Sequence, residues 1–311
     1  MNKLMTFIRK QQFLLTIKKI RQSAPLEYRV VDNIVIVTQV HKAALDMYLA
    51  AVKSFMYYFA KGTIKALSDG SLSEADKQLL KRHVPGIQIV EMSDINTEGF
   101  PTGGCWERLL YITELAKDAY VIQLDSDTLT IGPVPEIDNA VLNQQGFCIG
   151  NPVWPETVSA NYMSRMASRW HSDHIQAQSE QAFIKIPFFE SGRKYLRGCA
   201  AFSGFPKGQI GRETLLEFSS QMEAKLGSEK WRMWGTEQVA SNVMVAQTSK
   251  PRVLPWPRYQ NFDIPHSEQP FERQAVIHFI GTNRYNRGVY SNRVRHLIKI
   301  LAATKNQFIP D

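Results

Sequence analysis

Two aspartates follow a strongly apolar segment in YVIQLDSDTLTIG, residues 120–132. Residues i and i+2 of an extended chain project to the same side, so Asp125 and Asp127 can face one site while Ser126 points away. Two neighbouring carboxylates repel each other unless positive charge lies between them. A hard divalent cation supplies that charge and also accepts phosphate oxygens as ligands. The alternative is an Asp-rich turn that merely ends a strand.

A third candidate ligand lies far downstream, in AVIHFIGTNRY, residues 275–285. His278 follows a strand-like run, and an imidazole beside two carboxylates would complete the protein side of a site for a Mn²⁺-type ion. Gly281 would allow the backbone to approach a phosphate closely. An ordinary half-buried histidine is the competing interpretation.

The segments that must position these residues alternate between strands and helices. The β-branched run at 34–37 predicts a strand buried on both faces, and apolar residues at helical spacing over 44–59 predict a helix. Ser71 and Glu74 predict a capping box at the start of the next helix. Further strands are predicted at 63–67, 87–90, 120–124, 200–202 and 275–280.

This alternation predicts an α/β fold with a mostly parallel central sheet flanked by helices. In such sheets, ligands bind beyond the carboxyl ends of the strands. We expect a basic N-terminal helix over residues 1–30 and a single domain over 31–311, because no linker-like segment divides it. Within that domain, 31–132 would form the nucleotide-binding half and 133–311 the acceptor-binding half.

With these motifs in this order, the chain resembles nucleotide-sugar-dependent glycosyltransferases of the GT-A fold, closest to family 8, the glycogenin and galactosyltransferase group. The resemblance covers most of residues 31–290. It implies a Rossmann-like GT-A fold that transfers a sugar from a nucleotide-diphospho-sugar, a UDP-sugar, to a glycan, lipid or protein acceptor with retention of configuration. It also implies roles for individual residues.

The implied metal ligands are Asp125, Asp127 and His278, which would hold Mn²⁺ or Mg²⁺ on the donor diphosphate. Where the family usually supplies a lysine to the diphosphate, this sequence has Asn283, Arg284 and Arg287. Either arginine could neutralise phosphate bidentately, and Arg284 is the candidate that we carry forward. The other implied donor-binding residues are Thr38 and Gln39 at the nucleoside, Arg108 near the sugar or ribose, and Ser126 and Gly281.

The segment WGTEQVASN, residues 234–242, resembles the place where similar transferases put an acidic residue followed by glutamine beside the anomeric carbon. Glu237 and Gln238 would there stabilise an oxocarbenium-like sugar. The sequence also predicts a helix that starts after Gly235, with Thr236 as a candidate N-cap, so a glutamate that only complements the helix dipole is the alternative.

Net charge is +8 over 311 residues but is unevenly distributed. Residues 1–30 carry a net +6 and residues 273–305 a net +7, whereas the stretch between them is slightly acidic. The N-terminal segment predicts an amphipathic helix that either packs on the domain or, through residues 1–22, contacts an anionic membrane. Neither basic segment carries a nucleic-acid-binding motif, so no nucleic-acid partner is expected.

Composition excludes collagen-like and disordered classes, since Gly (18) and Pro (15) are near average usage. Three widely spaced cysteines argue against a disulfide framework and favour a reducing compartment. We therefore expect a cytoplasmic protein, peripheral to the membrane if residues 1–22 contact lipid, acting in surface polysaccharide biosynthesis.

Two other functions and one other metal cluster compete with this interpretation. A haloacid-dehalogenase-type phosphatase also uses Asp-x-Asp, but there Gly-Thr-Leu usually follows the pair, whereas Thr128 follows Asp127 directly here. A non-catalytic nucleotide-sugar-binding protein would share the fold without turnover. Separately, His171, Asp173 and His174 could form a second metal cluster, although a solvated helix face explains them better.

Overall fold

The computed structural model describes residues 3–262 and 273–305, which form eleven α-helices and twelve strands. The helices are α1 Lys3–Ile17, α2 Leu45–Phe59, α3 Glu74–His83, α4 Trp106–Leu115, α5 Pro135–Leu142, α6 Ala160–Ala167, α7 Ile175–Ala182, α8 Arg212–Leu226, α9 Ser228–Trp231, α10 Thr236–Ala246 and α11 Val289–Lys305. The strands are β1 Ile34–Val40, β2 Thr63–Ser68, β3 Gln88–Glu91, β4 Tyr120–Leu124, β5 Thr128–Thr130, β6 Phe147–Ile149, β7 Val158–Ser159, β8 Lys194–Tyr195, β9 Cys199–Phe205, β10 Arg252–Leu254, β11 Tyr259–Asn261 and β12 Val276–His278.

A seven-stranded sheet in the order β10-β6-β9-β4-β1-β2-β3 forms the centre of the molecule. Strands β1 to β4 pair in parallel, as do β6 and β10, and β9 runs antiparallel to both of its neighbours. The predicted mostly parallel α/β sheet is therefore confirmed, and every strand predicted from the sequence is present.

Strand β1 shows why the sheet has a core on each face. Ile34 and Ile36 pack into one hydrophobic cluster, and the alternating Val35 and Val37 pack into another. Successive side chains of a strand point to opposite faces, so a continuous β-branched run fits a strand covered by helices on both sides. This explains why the sequence of β1 is apolar throughout rather than alternating.

A second, three-stranded sheet in the order β11-β12-β5 brings the C-terminal part of the chain to the end of β4. Strand β5 begins immediately after Asp127, and β12 pairs with it antiparallel so that His278 lies opposite Thr128. The Phe279 amide also donates to the Asp127 carbonyl at 2.9 Å. This small sheet therefore fixes where the C-terminal histidine lies.

Two local predictions are wrong by one or two residues. The capping box of α3 consists of Ser73 and Asp76, not Ser71 and Glu74: the Asp76 amide donates to the Ser73 hydroxyl, and the Ser73 amide donates to Asp76. Ser71 is instead held by Asp69 in the preceding turn. At α10 the N-cap is Gly235, and Thr236 is the first helical residue.

The N-terminal helix α1 packs against the 3-10 segment Gly281–Gly288 and against α11. Packing on the domain, one of the two alternatives for this helix, is therefore observed. None of the helices in residues 3–262 and 273–305 combines the length and the apolar character needed to cross a bilayer.

Tight packing of β9 against β4 and β6 gives a first prediction. A Cβ atom at Gly204 would lie 2.2 Å from the Phe147 ring and 2.5 Å from the Tyr120 hydroxyl. We expect Gly204→Ala to lower the free energy of unfolding by about 1–3 kcal/mol, because the core must shift to admit the methyl group. Urea denaturation measures this loss. Gly211→Ala serves as the control, because a Cβ atom added at Gly211 would meet no atom within 4 Å; an equal loss in both variants would contradict the packing argument.

Candidate active site

A cavity of about 500 Å³ opens where β4 ends and β9 begins. Its walls include the Asp125–Asp127 turn, the end of β12 with the following segment and the start of β9. The ends of β6 and β11 and the N-termini of α4, α7 and α10 also contribute. Eight of the sequence-predicted site residues line it: Arg108, Asp125, Asp127, Glu237, Gln238, His278, Gly281 and Arg284.

Asp125, Asp127 and His278 each present one potential ligand atom, and these atoms lie within 4.8 Å of one another. The His278 Nε2 atom is 3.2 Å from Asp127 Oδ1. Residues about 150 positions apart in the sequence therefore converge, as the metal-site hypothesis requires. Two carboxylates and one imidazole form a donor set that suits Mn²⁺ or Mg²⁺ and leaves further coordination positions for a ligand.

The orientation of the His278 ring supports the same role. Its Nδ1 atom lies 2.9 Å from Asn261 Oδ1, a carboxamide oxygen that can only accept a hydrogen bond. Nδ1 therefore carries the proton, and Nε2 is directed at the aspartates. Metal-binding histidines are commonly held in this way by an acceptor on the second ring nitrogen. The Cys199 sulfur also lies close to this nitrogen, 3.4 Å from Nδ1.

Arg284 lies on the opposite side of Asp127. Its Nη2 atom donates to Asp127 Oδ2 at 2.7 Å, and its Nε atom donates to the Gly281 carbonyl at 2.6 Å. The guanidinium is thereby held at the edge of the cavity beside the Asp125–Asp127–His278 group. Arg287, the other arginine of the segment, does not line this cavity.

Arg108 links the aspartate turn to α10. Its Nη1 atom donates to Asp125 Oδ1 at 2.5 Å, and its Nη2 atom donates to Glu237 Oε1 at 3.2 Å. The Arg108 and Glu237 side chains are each 5% exposed, so the pair interacts in a weakly screened environment. The two helix N-termini are joined nearby, where Trp106 Nε1 donates to Thr236 Oγ1 at 3.0 Å.

Burial and neighbouring charges shift the pKa values of these groups in different directions. Burial raises the pKa of Glu237 to about 7, only partly opposed by Arg108. Burial likewise raises the pKa of Asp125, and the charge of Asp127 adds to that rise. At Asp127 burial is outweighed by the charges of His278 and Arg284, so its pKa is lowered. The burial penalty on the His278 imidazolium is outweighed by Asp127, which raises its pKa.

A buried hydrogen-bond network supports the wall of the cavity that carries Gln238. Gln238 Nε2 donates to Gln176 Oε1 at 3.2 Å, and Gln176 Nε2 donates to Glu180 Oε1 at 3.0 Å. The fully buried Glu180 carboxylate also accepts from the Tyr195 hydroxyl at 3.0 Å and pairs with Arg197 Nε at 3.0 Å. The network thus connects the candidate catalytic amide to a buried charge on α7.

Arg197 is further held by aromatic rings. Its guanidinium lies 4.6 Å from the Trp170 ring centroid and 5.9 Å from that of Trp154, at distances typical of cation–π contacts. Arg197 lines the cavity at the start of β9, together with Gly198 and Ala201. The small residues of the segment 197–205 therefore have two roles: residues 198–201 line the cavity, whereas Gly204 is required for core packing.

Thr38 and Gln39 lie at the carboxyl end of β1 but are not among the residues that line the cavity. The Thr38 Oγ1 and Gln39 Oε1 atoms are buried without a hydrogen-bond partner in the described part of the chain. Ser126 lies between the two aspartates and is half-buried. The roles assigned to these three residues stay predictions.

Sequence reasoning missed Asn261, Gln176 and Glu180. Their spacing gives no signal, because each acts through a partner distant in the sequence. His171, Asp173 and His174 do not form such a group: among the described residues, the group that could hold a metal ion consists of Asp125, Asp127 and His278. His174 instead caps α7, where its Nδ1 accepts from the Gln176 amide at 3.2 Å.

Comparison with known proteins identifies the fold. No family model and no curated protein matches the sequence. The apo structure of the bifunctional glycosyltransferase WbbM matches with a TM-score of 0.52 and 14% identity, over 85% of this chain and 49% of that one. GlyE from Streptococcus pneumoniae matches with a TM-score of 0.51 and 12% identity, over 87% and 63%. An active-site glutamine-to-glutamate mutant of LgtC matches with a TM-score of 0.50 and 14% identity, over 86% and 95%.

The chain therefore has the GT-A fold of these glycosyltransferases, as the resemblance in sequence motifs implied. It spans about half the length of WbbM and less than two thirds of GlyE. It covers nearly all of LgtC.

The grouping of Asp125, Asp127 and His278 gives a prediction about the affinity for Mn²⁺. We expect Asp127→Asn to weaken Mn²⁺ binding at least ~100-fold and Asn261→Leu to weaken it about 10- to 100-fold, because the first removes a ligand and the second releases the His278 ring. Isothermal titration with Mn²⁺ measures both. The control is Asp173→Asn, which removes an exposed carboxylate from the alternative group of His171, Asp173 and His174. We expect this variant to bind Mn²⁺ as the wild type does. Unchanged binding by Asp127→Asn with a native circular dichroism spectrum would refute the site.

The buried carboxylate on α7 gives a stability prediction. We expect Glu180→Gln to lower the free energy of unfolding by about 1–3 kcal/mol, because the amide loses one acceptor oxygen and the charge that faces Arg197. Glu190→Gln, at an exposed position a few residues after α7, is the control. Urea denaturation compares the two; equal stabilities would show that the buried network contributes little.

Proposed function

We propose that this protein is a metal-dependent glycosyltransferase that moves a sugar from a nucleotide-diphospho-sugar, with UDP as the nucleotide, to a glycan or lipid-linked acceptor. The observation that carries the proposal is the convergence of Asp125, Asp127 and His278 on one wall of the cavity that Glu237 and Gln238 also line. A metal site that could bind a diphosphate, with a carboxyl–amide pair beside the same space, would serve transfer of a sugar from a sugar diphosphate. The GT-A fold is consistent with this activity.

The metal-side residues would stabilise the leaving group. When the bond between the anomeric carbon and the phosphate oxygen breaks, negative charge accumulates on the nucleoside diphosphate. A Mn²⁺ or Mg²⁺ ion held by Asp125, Asp127 and His278 would supply Lewis-acid stabilisation of that charge. Arg284 is already fixed next to Asp127 and would add a guanidinium to the same phosphates.

Glu237 and Gln238 would act on the sugar. As the donor bond breaks, the ring becomes positively charged at the anomeric carbon, and the Gln238 amide oxygen or the Glu237 carboxylate can stabilise that charge. Arg108 holds Glu237 and Asp125 together, so it sets the distance between these two side chains. We propose retention of configuration, as family 8 members show. The candidate role of Gln238 has a parallel in LgtC, whose solved mutant carries its substitution at an active-site glutamine.

The two competing functions predict different products. A phosphatase would release inorganic phosphate from a simple phosphomonoester, whereas a binding protein would hold the donor without turnover. The decisive assay incubates the full chain with a panel of nucleotide sugars and Mn²⁺ and measures release of nucleoside diphosphate. Hydrolysis of p-nitrophenyl phosphate without a sugar donor would identify the phosphatase, and donor binding without product would identify the binding protein.

The positions of the catalytic candidates give the mutational prediction. Gln238→Ala is expected to lower kcat for nucleoside diphosphate release about 10- to 1000-fold with little change in donor Kd, because the amide would act on charge that develops only in the transition state. Gln247→Ala, directly after the last turn of the same helix and outside the cavity, is the matched control. A loss in donor affinity with unchanged kcat would assign Gln238 to ground-state binding instead.

A further inference from the structure

The two basic segments of the sequence meet on one surface. Residues 3–22 contain six lysines and arginines and no acidic residue, and residues 281–305 also contain six and none. Helix α1 packs against the 281–288 segment and α11, so the two basic segments lie side by side. Of these cations, Arg21 pairs with Asp46 and Arg284 pairs with Asp127. Exposed lysines such as Lys10, Lys18 and Lys19 add positive charge along α1 and the turn that follows it.

Helix α1 has an inner apolar face that attaches it to the domain. Phe13 and Ile17 are each 2% exposed. The Phe13 ring contacts Tyr285 and Tyr290, with ring centroids 5.4 Å and 4.9 Å away. These contacts hold the helix in place, so the orientation of its other side is fixed.

The same helix has an outer apolar face. The buried residues Phe13, Thr16 and Ile17 lie on one side of the helix, and four large exposed side chains at positions 7, 8, 14 and 15 lie within an arc of about 120° centred roughly opposite, since each residue turns the helix by about 100°. Their exposures are 59% for Phe7, 40% for Ile8, 38% for Leu14 and 70% for Leu15. Exposed apolar side chains grouped on one side of a helix in this way mark a surface that is covered in use.

A cleft of about 380 Å³ lies where α1 meets the start of α11. Three arginines, Arg9, Arg287 and Arg295, line it together with Gln12 and Asn292, and none of the lining residues is acidic. Arg295 is tied to both helices, through Asn292 Oδ1 at 2.6 Å and Thr16 Oγ1 at 3.3 Å. Guanidinium groups that converge on one space suit phosphate, which they bind bidentately.

We propose that this surface docks the protein on a bilayer that contains anionic phospholipids. Phe7, Ile8, Leu14 and Leu15 enter the boundary between headgroups and acyl chains, and the arginine cleft binds headgroup phosphate. An apolar stripe on a helix with basic residues around it is complementary to an anionic lipid surface in both hydrophobicity and charge. The proposal is independent of glycosyl transfer, because none of these residues lines the active-site cavity.

The test is co-sedimentation of the full chain with vesicles of phosphatidylcholine alone or mixed with phosphatidylglycerol. We expect binding to the mixed vesicles that weakens as salt is added, and little binding to phosphatidylcholine. Phe7→Ser/Leu15→Ser is expected to weaken binding at least ~30-fold by removing two inserted side chains. Arg287→Gln is expected to weaken it about fivefold by removing one cation.

Matched controls separate the surface from general effects of substitution. Leu142 and Val153, which are 82% and 70% exposed on other parts of the molecule, provide the control pair Leu142→Ser/Val153→Ser. Lys207→Gln is the charge control, also at an exposed position. Both are expected to bind vesicles as the wild type does, and all variants are expected to keep the melting temperature and the rate of donor hydrolysis in solution.

Three results would overturn the proposal. The first is the absence of binding to phosphatidylglycerol vesicles. The second is stabilisation of the protein by inorganic phosphate, lost in Arg287→Gln, without vesicle binding, which would identify a soluble-anion site. The third is a dimer in solution that Phe7→Ser/Leu15→Ser converts to a monomer without a change in vesicle binding, which would identify the stripe as a contact between two copies.

Discussion

Repulsion between Asp125 and Asp127 is the constraint that organises the rest of the site. The two carboxylates stand two residues apart at the end of a buried strand, where water screens their charges poorly. Two guanidinium groups and an imidazole from distant parts of the chain surround them: Arg108 from α4, and Arg284 and His278 from the C-terminal region. A bound divalent ion would take over part of this compensation. The pair is thus stable only in a fold that brings those segments together.

Each of these groups is placed by a different kind of interaction. Hydrogen bonds between β5 and β12 set His278 opposite Thr128, and the bond from Arg284 to the Gly281 carbonyl holds the guanidinium in the next turn. Arg108 is placed by the first turn of α4 and is divided between Asp125 and Glu237. These charges would therefore already be in place for the proposed donor, and preorganised charges of this kind contribute strongly to catalysis.

The hydrogen bonds around Glu180 on α7 also stabilise the wall of the cavity that carries Gln238. Glu180 is fully buried, and its carboxylate receives hydrogen bonds from three side chains, so it fixes Gln176 and Arg197 at once. Buried polar groups are favourable only when they are satisfied in this way. Gln238 and its neighbours, which would contact the sugar, are consequently held by their own hydrogen bonds. The same is true of Asp127 and Arg284, which would contact the phosphates. Arg108 and Glu237 join the two groups.

The sequence by itself determined the alternation of strands and helices, the two-faced burial of β1 and the position of the aspartates at a strand end, because these follow from local periodicity. It also marked His278, Glu237 and Gln238, through motifs that resemble a known family. It could not place the capping box of α3 to the residue, since several serines and acidic residues compete there. Only the tertiary structure decided that Asn261 orients His278, that Glu180 supports Gln238, and that the basic ends of the chain share one surface. Those relations depend on strand pairing and helix packing between residues far apart in the chain, which no local pattern encodes.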